Sequence, residues 1–566
     1  MKKTILGMLA AMCVVACGPA DKAPAVNAGF NKFVAAFMQG YFEQNPDFAV
    51  YQGRHEFDGK LPDWSEAGLN AKAAFLHKAV DDARAFKDAD LAPKQRFERD
   101  YLIRVAEGDL FWQEDADQPH RNPDWYDAFD PNVYVARNYA DGPTRMRAFI
   151  TMAKQVPAAT ALVRANLKTP MPLSFITKGK ASFGGLASYY LTDVKTAFAD
   201  VKDAALQAEL DAAIKPAAKA LQDTADWLES NRASATQDFA LGPERFSRML
   251  AMTEGVTTPL SELTAIGKAD LARNQAALKA ACAEFAPGAT IPACVEKAAA
   301  DKGRGSSVEV AQRQIPELRA FVIAKDLVTI PGTEEALVRE APPYNRQNFA
   351  YIDPPGPYEK NIPSIYYIAP ADPAWSKAVQ DAYTSGENEL LFTSAHEVMP
   401  GHFVQFLHAN RSSDIFGRVF VGYAFAEGWA HYAEEMMWDA GLRNGDPKIH
   451  IGQLSQALKR DCRYLSAIGL HTAGMTQEQS YHMFRDECFQ DEGNARQQAQ
   501  RGTVDPAYLN YTLGKLMIRK LRDDWTATHG GRAGWKAFHD QFLSYGGPPI
   551  PLVRQQMMGG EAKAVF

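Results

Sequence analysis

Apolar side chains recur along most of this chain at the three- and four-residue spacing that lines one face of a helix. Leu260, Leu263, Leu271 and Leu278 follow Thr258-Pro259, which reads as a capping threonine with proline at the first helical position and Glu262 in the first turn. Comparable spacing predicts helices near 28–44, 67–87, 94–113, 143–166, 204–230, 372–391, 403–410, 421–440, 450–469 and 506–526. Turn formers such as Asn45-Pro46, Ala341-Pro342-Pro343 and Asp353-Pro354-Pro355-Gly356-Pro357 separate them. One stretch departs from the pattern. Phe349-Ala350-Tyr351-Ile352 and Ile365-Tyr366-Tyr367-Ile368 flank the proline-rich turn with aromatic and β-branched residues, which predicts a short β ribbon. The expected fold is mainly α with that one small ribbon. A weakly marked boundary near 245 divides an N-terminal helical lobe (28–245) from a second helical lobe (246–566), unless the two form one continuous domain.

The first residues do not belong to the fold. A basic Met1-Lys2-Lys3 precedes the apolar stretch Thr4 to Ala16, which has signal-peptide length and is short for a bilayer span. It ends in Val14-Val15-Ala16-Cys17, which resembles the lipobox of bacterial lipoproteins, where the cysteine becomes the acylated N-terminus. An ordinary cleaved signal peptide or an uncleaved anchor are the alternatives. The lipobox reading gives a signal peptide over 1–16, lipidation at Cys17, a tether over 17–27, and membrane contact through that lipid alone. Gly18 is not the aspartate associated with inner-membrane retention, so the expected location is the outer membrane, facing the periplasm of a Gram-negative bacterium.

A hydrophobic content of 46% and a charged content of 23% are those of a folded globular protein. The net charge of −7 over 566 residues argues against a nucleic-acid partner. Beyond Cys13 and Cys17 the cysteines are Cys282, Cys294, Cys462 and Cys488, an even number compatible with two disulfides in an exported chain. The close pair Cys282/Cys294 is the stronger expectation, and no CxxC spacing suggests a cysteine metal site.

The chemistry concentrates in Ser394-Ala395-His396-Glu397-Val398-Met399-Pro400-Gly401-His402. In the HExxH motif the two histidines lie four residues apart and share a helix face. Here the separation is six residues, which would displace the second ring by about 120° on an ideal helix, against about 40° for four. Pro400 removes an amide hydrogen and opens the turn, and Gly401 tolerates the distortion. A bulge holding two extra residues would return His402 to the face of His396. Glu427, on the next amphipathic helix, supplies a carboxylate to complete two histidines and one glutamate, a set that suits zinc. His431, one turn later, is the alternative third ligand. Glu397 is placed as general base. Glu434 or Glu435 could orient a ligand histidine through its other nitrogen, and His408 reads as a structural helix residue.

HEVMPGHFVQ (396–405), AEGWAHYAEEM (426–436), RYLSAIGLHTAGMT (463–476) and YTLGKL (511–516), in that order, resemble the bacterial "domain of unknown function 885" family. The opening, with Tyr51-Gln52-Gly53 and Leu61-Pro62-Asp63-Trp64-Ser65, is similar to that family too, so the resemblance covers nearly all the mature chain. Its members are regarded as zinc metallopeptidases, similar in fold to helical gluzincins such as the thimet-oligopeptidase and carboxypeptidase Taq groups. The resemblance implies one zinc ion per chain held by His396, His402 and Glu427, with Glu397 as base. It also places His471 and Tyr511 where such enzymes face the scissile carbonyl, positions from which a donor would stabilise an oxyanion. Two departures touch substrate preference. Phe403 stands where the family usually has a second histidine, and Ala467-Ile468-Gly469-Leu470-His471 stands where it usually reads Asp-Thr-Gly-Leu-His.

The expectation is therefore a gluzincin-like zinc peptidase with a deep cleft between helical lobes and the ribbon on one wall. Short peptides are the expected substrates. Arg463 could bind a substrate carboxylate bidentately or form a structural salt bridge. Tyr366 and Tyr367 could contact substrate if the Ile365–Ile368 strand pairs with an extended peptide, or could simply pack the ribbon. Two other functions fit the same residues: a zinc amidohydrolase acting on a non-peptide or cell-wall substrate, and a binding lipoprotein whose site has been retired.

Overall fold

The protein is described by a computed structural model covering residues 26–342, 346, 349–559 and 565–566; the lipobox and Cys17 lie outside the described residues. Helices dominate, and most begin and end near the predicted bounds. Ala28–Gln44, Glu66–Ala85, Gly142–Asn166 and Ala204–Ser230 each start on a side chain that accepts a hydrogen bond from the first turn: Asn27, Ser65, Asp141 and Asp203. Two starts differ from expectation. Pro259 is itself the cap of Leu260–Phe285, so that helix begins one residue later than its sequence suggests. The single helix expected over 372–391 is two, Lys377–Tyr383 and Glu387–Glu397. They break at Gly386, where a Cβ would lie 2.7 Å from the backbone of Ala299.

Two large apolar cores account for the packing. One gathers residues from Phe30 to Leu228, with Phe416, Val419 and Phe420 inserted from the short helix Ile415–Val419. The other runs from Leu241 to Val553 and takes in Phe111 and Ala116 from the N-terminal part. Each half thus lends side chains to the other's core. Two disulfides, Cys282–Cys294 and Cys462–Cys488, tie helix Leu260–Phe285 to its successor and helix Pro447–Thr472 to the segment after it.

The ribbon is part of a three-stranded sheet: β1 (Ala336–Glu340), β2 (Ala350–Asp353) and β3 (Ser364–Ile368), in the order β1-β3-β2. The predicted pair is antiparallel, with Tyr351 opposite Tyr367, and β1 adds a parallel partner that the sequence pattern does not announce. This corrects the expectation for Ile365–Ile368. With β1 on one side and β2 on the other, β3 has no free edge to offer a peptide. The strand with an unpaired edge beside the cavity described below is β2.

Helix Tyr423–Asp439 crosses helix Asn510–Thr526 at a glycine-on-glycine contact. A Cβ on Gly428 would lie 2.5 Å from the Gly514 backbone, and one on Gly514 would lie 1.9 Å from the carbonyl oxygen of Ala424. No side chain fits between these two backbones, and the close approach sets Tyr511 beside Glu427. Gly514→Ala is accordingly expected to lower stability by about 1–3 kcal/mol through overpacking. Gly185→Ala, on helix Leu173–Leu191 with nothing within 4 Å of the new methyl, should be neutral or slightly stabilising. Thermal melts of the two variants beside wild type test the contrast.

Candidate metal centre

Helix Glu387–Glu397 ends at the motif glutamate, and a second helix, His402–Ala409, begins at the second histidine. The histidines are brought together by a break between two helices instead of the bulge expected within one. The four intervening residues turn back on the first helix: Val398 and Met399 donate backbone hydrogen bonds to Ser394, and Gly401 donates to Ala395. A Cβ at Gly401 would lie 1.7 Å from the His396 carbonyl oxygen. Glycine is required there for space. Trp429, fully buried on the next helix, donates its indole N–H to the Pro400 carbonyl at 3.0 Å and pins the turn from outside.

This backbone path sets the two imidazoles edge-to-face with ring centroids 4.8 Å apart. Each presents Nε2 at 3.2 Å from the same oxygen, Oε2 of Glu427. All three ligand-type atoms lie within 4.8 Å of one another. On the far side of His396, Nδ1 meets Oε1 of the buried Glu434 at 2.7 Å, and Arg460 grips Glu434 at 2.9 and 3.1 Å. A proton held on Nδ1 by that carboxylate leaves the Nε2 lone pair facing Glu427, an acceptor facing an acceptor. A cation among the three atoms satisfies every lone pair at once. The two 3.2 Å separations agree with the edges, about 3.3 Å, of a tetrahedral site with bonds near 2.0–2.1 Å. The donor set therefore fits zinc. Burial alone would raise the carboxyl of Glu434. Arg460 and the hydrogen bond from His396 more than offset it and hold that carboxyl well below the usual carboxylate range.

Glu397 lies beside this trio and makes no ion pair among the described residues. Burial raises its carboxyl to about 7; Glu427 adds to the rise, while His402, Arg460 and a hydrogen bond from the Ile352 backbone oppose it. Ile352 belongs to β2, so the edge strand and the acid share one wall. His396, Glu397, His402, Glu427, Tyr511, Arg463 and residues Phe349 to Ile352 all line one cavity of 1830 Å3. Tyr511 stacks 6.2 Å from the His396 ring, and burial together with Glu427 keeps its phenol protonated against the pull of Arg501, Arg463 and Arg460.

The remaining expected residues divide. His471 is away from the cavity. Its Nε2–H donates to the Gly502 carbonyl at 2.7 Å, its Nδ1 accepts from the Leu241 N–H at 3.3 Å, and Phe239 and Phe246 pack on the ring. With both nitrogens committed to backbone it is a packing pin and does not face a scissile bond. Tyr366 is fully buried in the main core, and Tyr367 packs with Tyr351 on the other side of the sheet, so neither lines the cavity. His431 is wholly buried one turn past Glu427, its Nδ1 3.6 Å from Glu434, and does not join the trio. Glu435 turns to Arg273 at 2.9 Å and Arg519 at 3.2 Å, away from the histidines. His408 bonds the Thr329 carbonyl, a structural role. Sequence reasoning missed Arg460 and Lys459. Their one signal was a cluster of cations at positions 459, 460 and 463 of a largely buried helix.

The profile of a family described as bacterial protein of unknown function (DUF885) matches residues 46–557. No curated protein matches the chain. Among solved structures, a candidate lipoprotein of unknown function from Shewanella oneidensis superposes with a TM-score of 0.77 at 25% identity, covering 94% of this chain and 100% of that one. A candidate lipoprotein from Colwellia psychrerythraea superposes with a TM-score of 0.79 at 16% identity, covering 94% and 99%, and so shares the fold.

The buried His471 yields a pH prediction. Burial lowers its pKa from the ordinary 6.5 to about 4, so the unfolded chain takes up a proton before the native one does. Its neutral form costs no stability above pH 6.5, and stability is lost as pH falls from 6.5 towards 4. Melting temperatures across that window should drop less steeply for His471→Gln than for wild type. Equal slopes would contradict the assignment.

Proposed function

The chain belongs to the bacterial DUF885 family, whose function is not established, and from the chemistry of its site we propose that it is a zinc-dependent peptidase. The observation that carries the proposal is the convergence of His396, His402 and Glu427 at one wall of a deep cavity, with the buried, unpaired Glu397 next to them. A pure binding site has no need of that glutamate. The arrangement has the ligand set of a helical gluzincin, and the edge strand beside it supports the same likeness.

Zinc held by the three side chains would supply Lewis acidity and bring the pKa of water to about 7. Glu397 then accepts a proton from the water as its oxygen adds to the peptide carbonyl carbon. Tyr511 donates its hydroxyl hydrogen to the oxyanion that forms, a contribution of about 2.7–4 kcal/mol for one such donor. Glu397 delivers the proton to the departing nitrogen as the C–N bond breaks, leaving a carboxylate and an amine. Glu434, held by Arg460, fixes the His396 ring through the attack. The free edge of β2 offers backbone groups for an extended peptide, and a recessed cavity favours short peptides over folded proteins.

The export reading is part of the proposal. Two disulfides belong to an oxidising compartment, and the two similar structures are described as candidate lipoproteins. With Cys17 acylated, the enzyme would be tethered at the outer membrane and face the periplasm. No helix among the described residues is long and apolar enough to cross a membrane.

Wild-type protein is expected to bind one zinc ion per chain and Glu427→Gln to lose it. Glu434→Gln should bind about 10–100-fold more weakly by chelator competition, because the ring of His396 is then no longer fixed. Tyr511→Phe should keep the metal and cut kcat by about 100-fold or more. Stoichiometric tight zinc in Glu427→Gln would remove the assignment of that ligand.

A further inference from the structure

Buried cations in this protein have carboxylate partners. Arg137, 3% exposed, is held by Asp353 at 2.7 Å and Glu359 at 3.0 Å. Arg460 is held by Glu434, and Lys515 by Asp270. The rule reflects the cost of taking a charge out of water without compensation. Arg463 breaks it, and the half-buried Lys459 beside it lacks a carboxylate as well. Arg463 is only 9% exposed, and among the described residues the one acceptor for its guanidinium is the neutral amide oxygen of Gln498, 2.7 Å from Nε. Lys459, one turn earlier on helix Pro447–Thr472, makes no ion pair among the described residues. Glu389 and Asp491 influence it only from beyond ion-pair distance.

Both side chains line the cavity that holds His396, His402 and Glu427. Their place relative to the reacting groups is set by Tyr511. The Arg463 guanidinium lies 4.7 Å over one side of that ring, and the ring itself stacks 6.2 Å from His396. One aromatic ring thus contacts both the guanidinium and a histidine of the trio, which puts the two within reach of a few residues of extended peptide at about 3.3–3.6 Å each. The walls around Arg463 are themselves buried: Gln498 is 5% exposed and Tyr511 8%. A carboxylate seated there would compensate a guanidinium that has little contact with water.

We infer that Arg463 and Lys459 form a subsite for the free C-terminal carboxylate of a peptide. The protein then reads its substrates from the C-terminus and releases short C-terminal fragments. The guanidinium offers paired N–H donors to the two carboxylate oxygens, and the ammonium adds a second charge. Tyr511 would serve both groups, donating to the oxyanion on one side and supporting Arg463 through its ring face on the other. The end-reading mode rests on the peptidase reading above; the carboxylate subsite does not.

The test uses the zinc-loaded Glu397→Gln protein and a tetrapeptide labelled with fluorescein at its N-terminus. The peptide is prepared as the free acid, as the C-terminal amide, and as an amide whose penultimate residue is glutamate. Anisotropy should show the acid binding at least 10-fold more tightly than either amide. Adding Arg463→Gln should abolish the preference, and Arg463→Lys should restore part of it, which a merely structural role would not do. Equal affinity for acid and amide, no binding of either, or tight binding of the glutamate-bearing amide would each overturn the inference. Wild-type protein is then given the same peptides. Release of C-terminal residues from the acid alone supports both readings. An acid preference in binding with no cleavage would leave the carboxylate subsite standing and remove the peptidase.

Discussion

Everything at the centre of this protein depends on one steric constraint: the contact of Gly401 with the carbonyl oxygen of His396. Only where a side chain is absent can the chain fold back so closely on the helix it has just left. That reversal lets His402 start a new helix with its ring against that of His396, although six residues separate them in sequence. A substituent at Gly401 would force the turn outward and carry His402 away from Glu427. The neighbouring Glu427-Gly428-Trp429 answers the same turn from the opposite helix. Glu427 faces both imidazoles, Gly428 lets helix Asn510–Thr526 approach, and Trp429 bonds the Pro400 carbonyl. Three consecutive residues thus complete the trio, set its distance from Tyr511 and lock the turn.

Around this centre the charges are arranged by depth. Arg460 and Glu434 neutralise each other behind His396 and hold its ring. The next residue, Glu435, joins Arg273 and Arg519 instead. Glu397, Lys459 and Arg463 line the cavity without an ion pair among the described residues, as do Glu296, Lys302, Glu389 and Asp491, but Arg463 is the buried cation of the group. The separation of paired structural charges from unpaired cavity charges makes the chemistry legible: pairing explains the fold, and its absence points to a ligand.

Much of this could be read from the chain beforehand. The helices capped by Asn27, Ser65, Asp141 and Asp203 begin within a residue of expectation, because the capping side chain is local. The convergence of His396, His402 and Glu427 was legible because histidines, glutamate and glycine occur at fixed offsets on adjacent amphipathic helices. What stayed hidden was non-local. The break after Glu397 depends on a backbone contact that no periodicity encodes. Strand β1 is visible only once β3 is in place to pair with it, and that pairing removes Tyr366 and Tyr367 from consideration as substrate contacts. His471 carries a catalytic residue's chemistry, but its partners, Leu241 and Gly502, are distant in sequence. Lys459 and Arg463 attract notice only when the absence of carboxylates around them can be seen.

The central claim is that the trio and Glu397 form a working hydrolytic centre. It is tested most directly by mass-spectrometric profiling of a mixed-length peptide library. Zinc-loaded wild type and Glu397→Gln would be compared at equal measured metal content. The account predicts cleavage by wild type and a loss of at least about 100-fold in the variant, in line with the share of the rate a general base supplies. Absence of cleavage by metal-loaded wild type, or equal cleavage by both proteins, would contradict it.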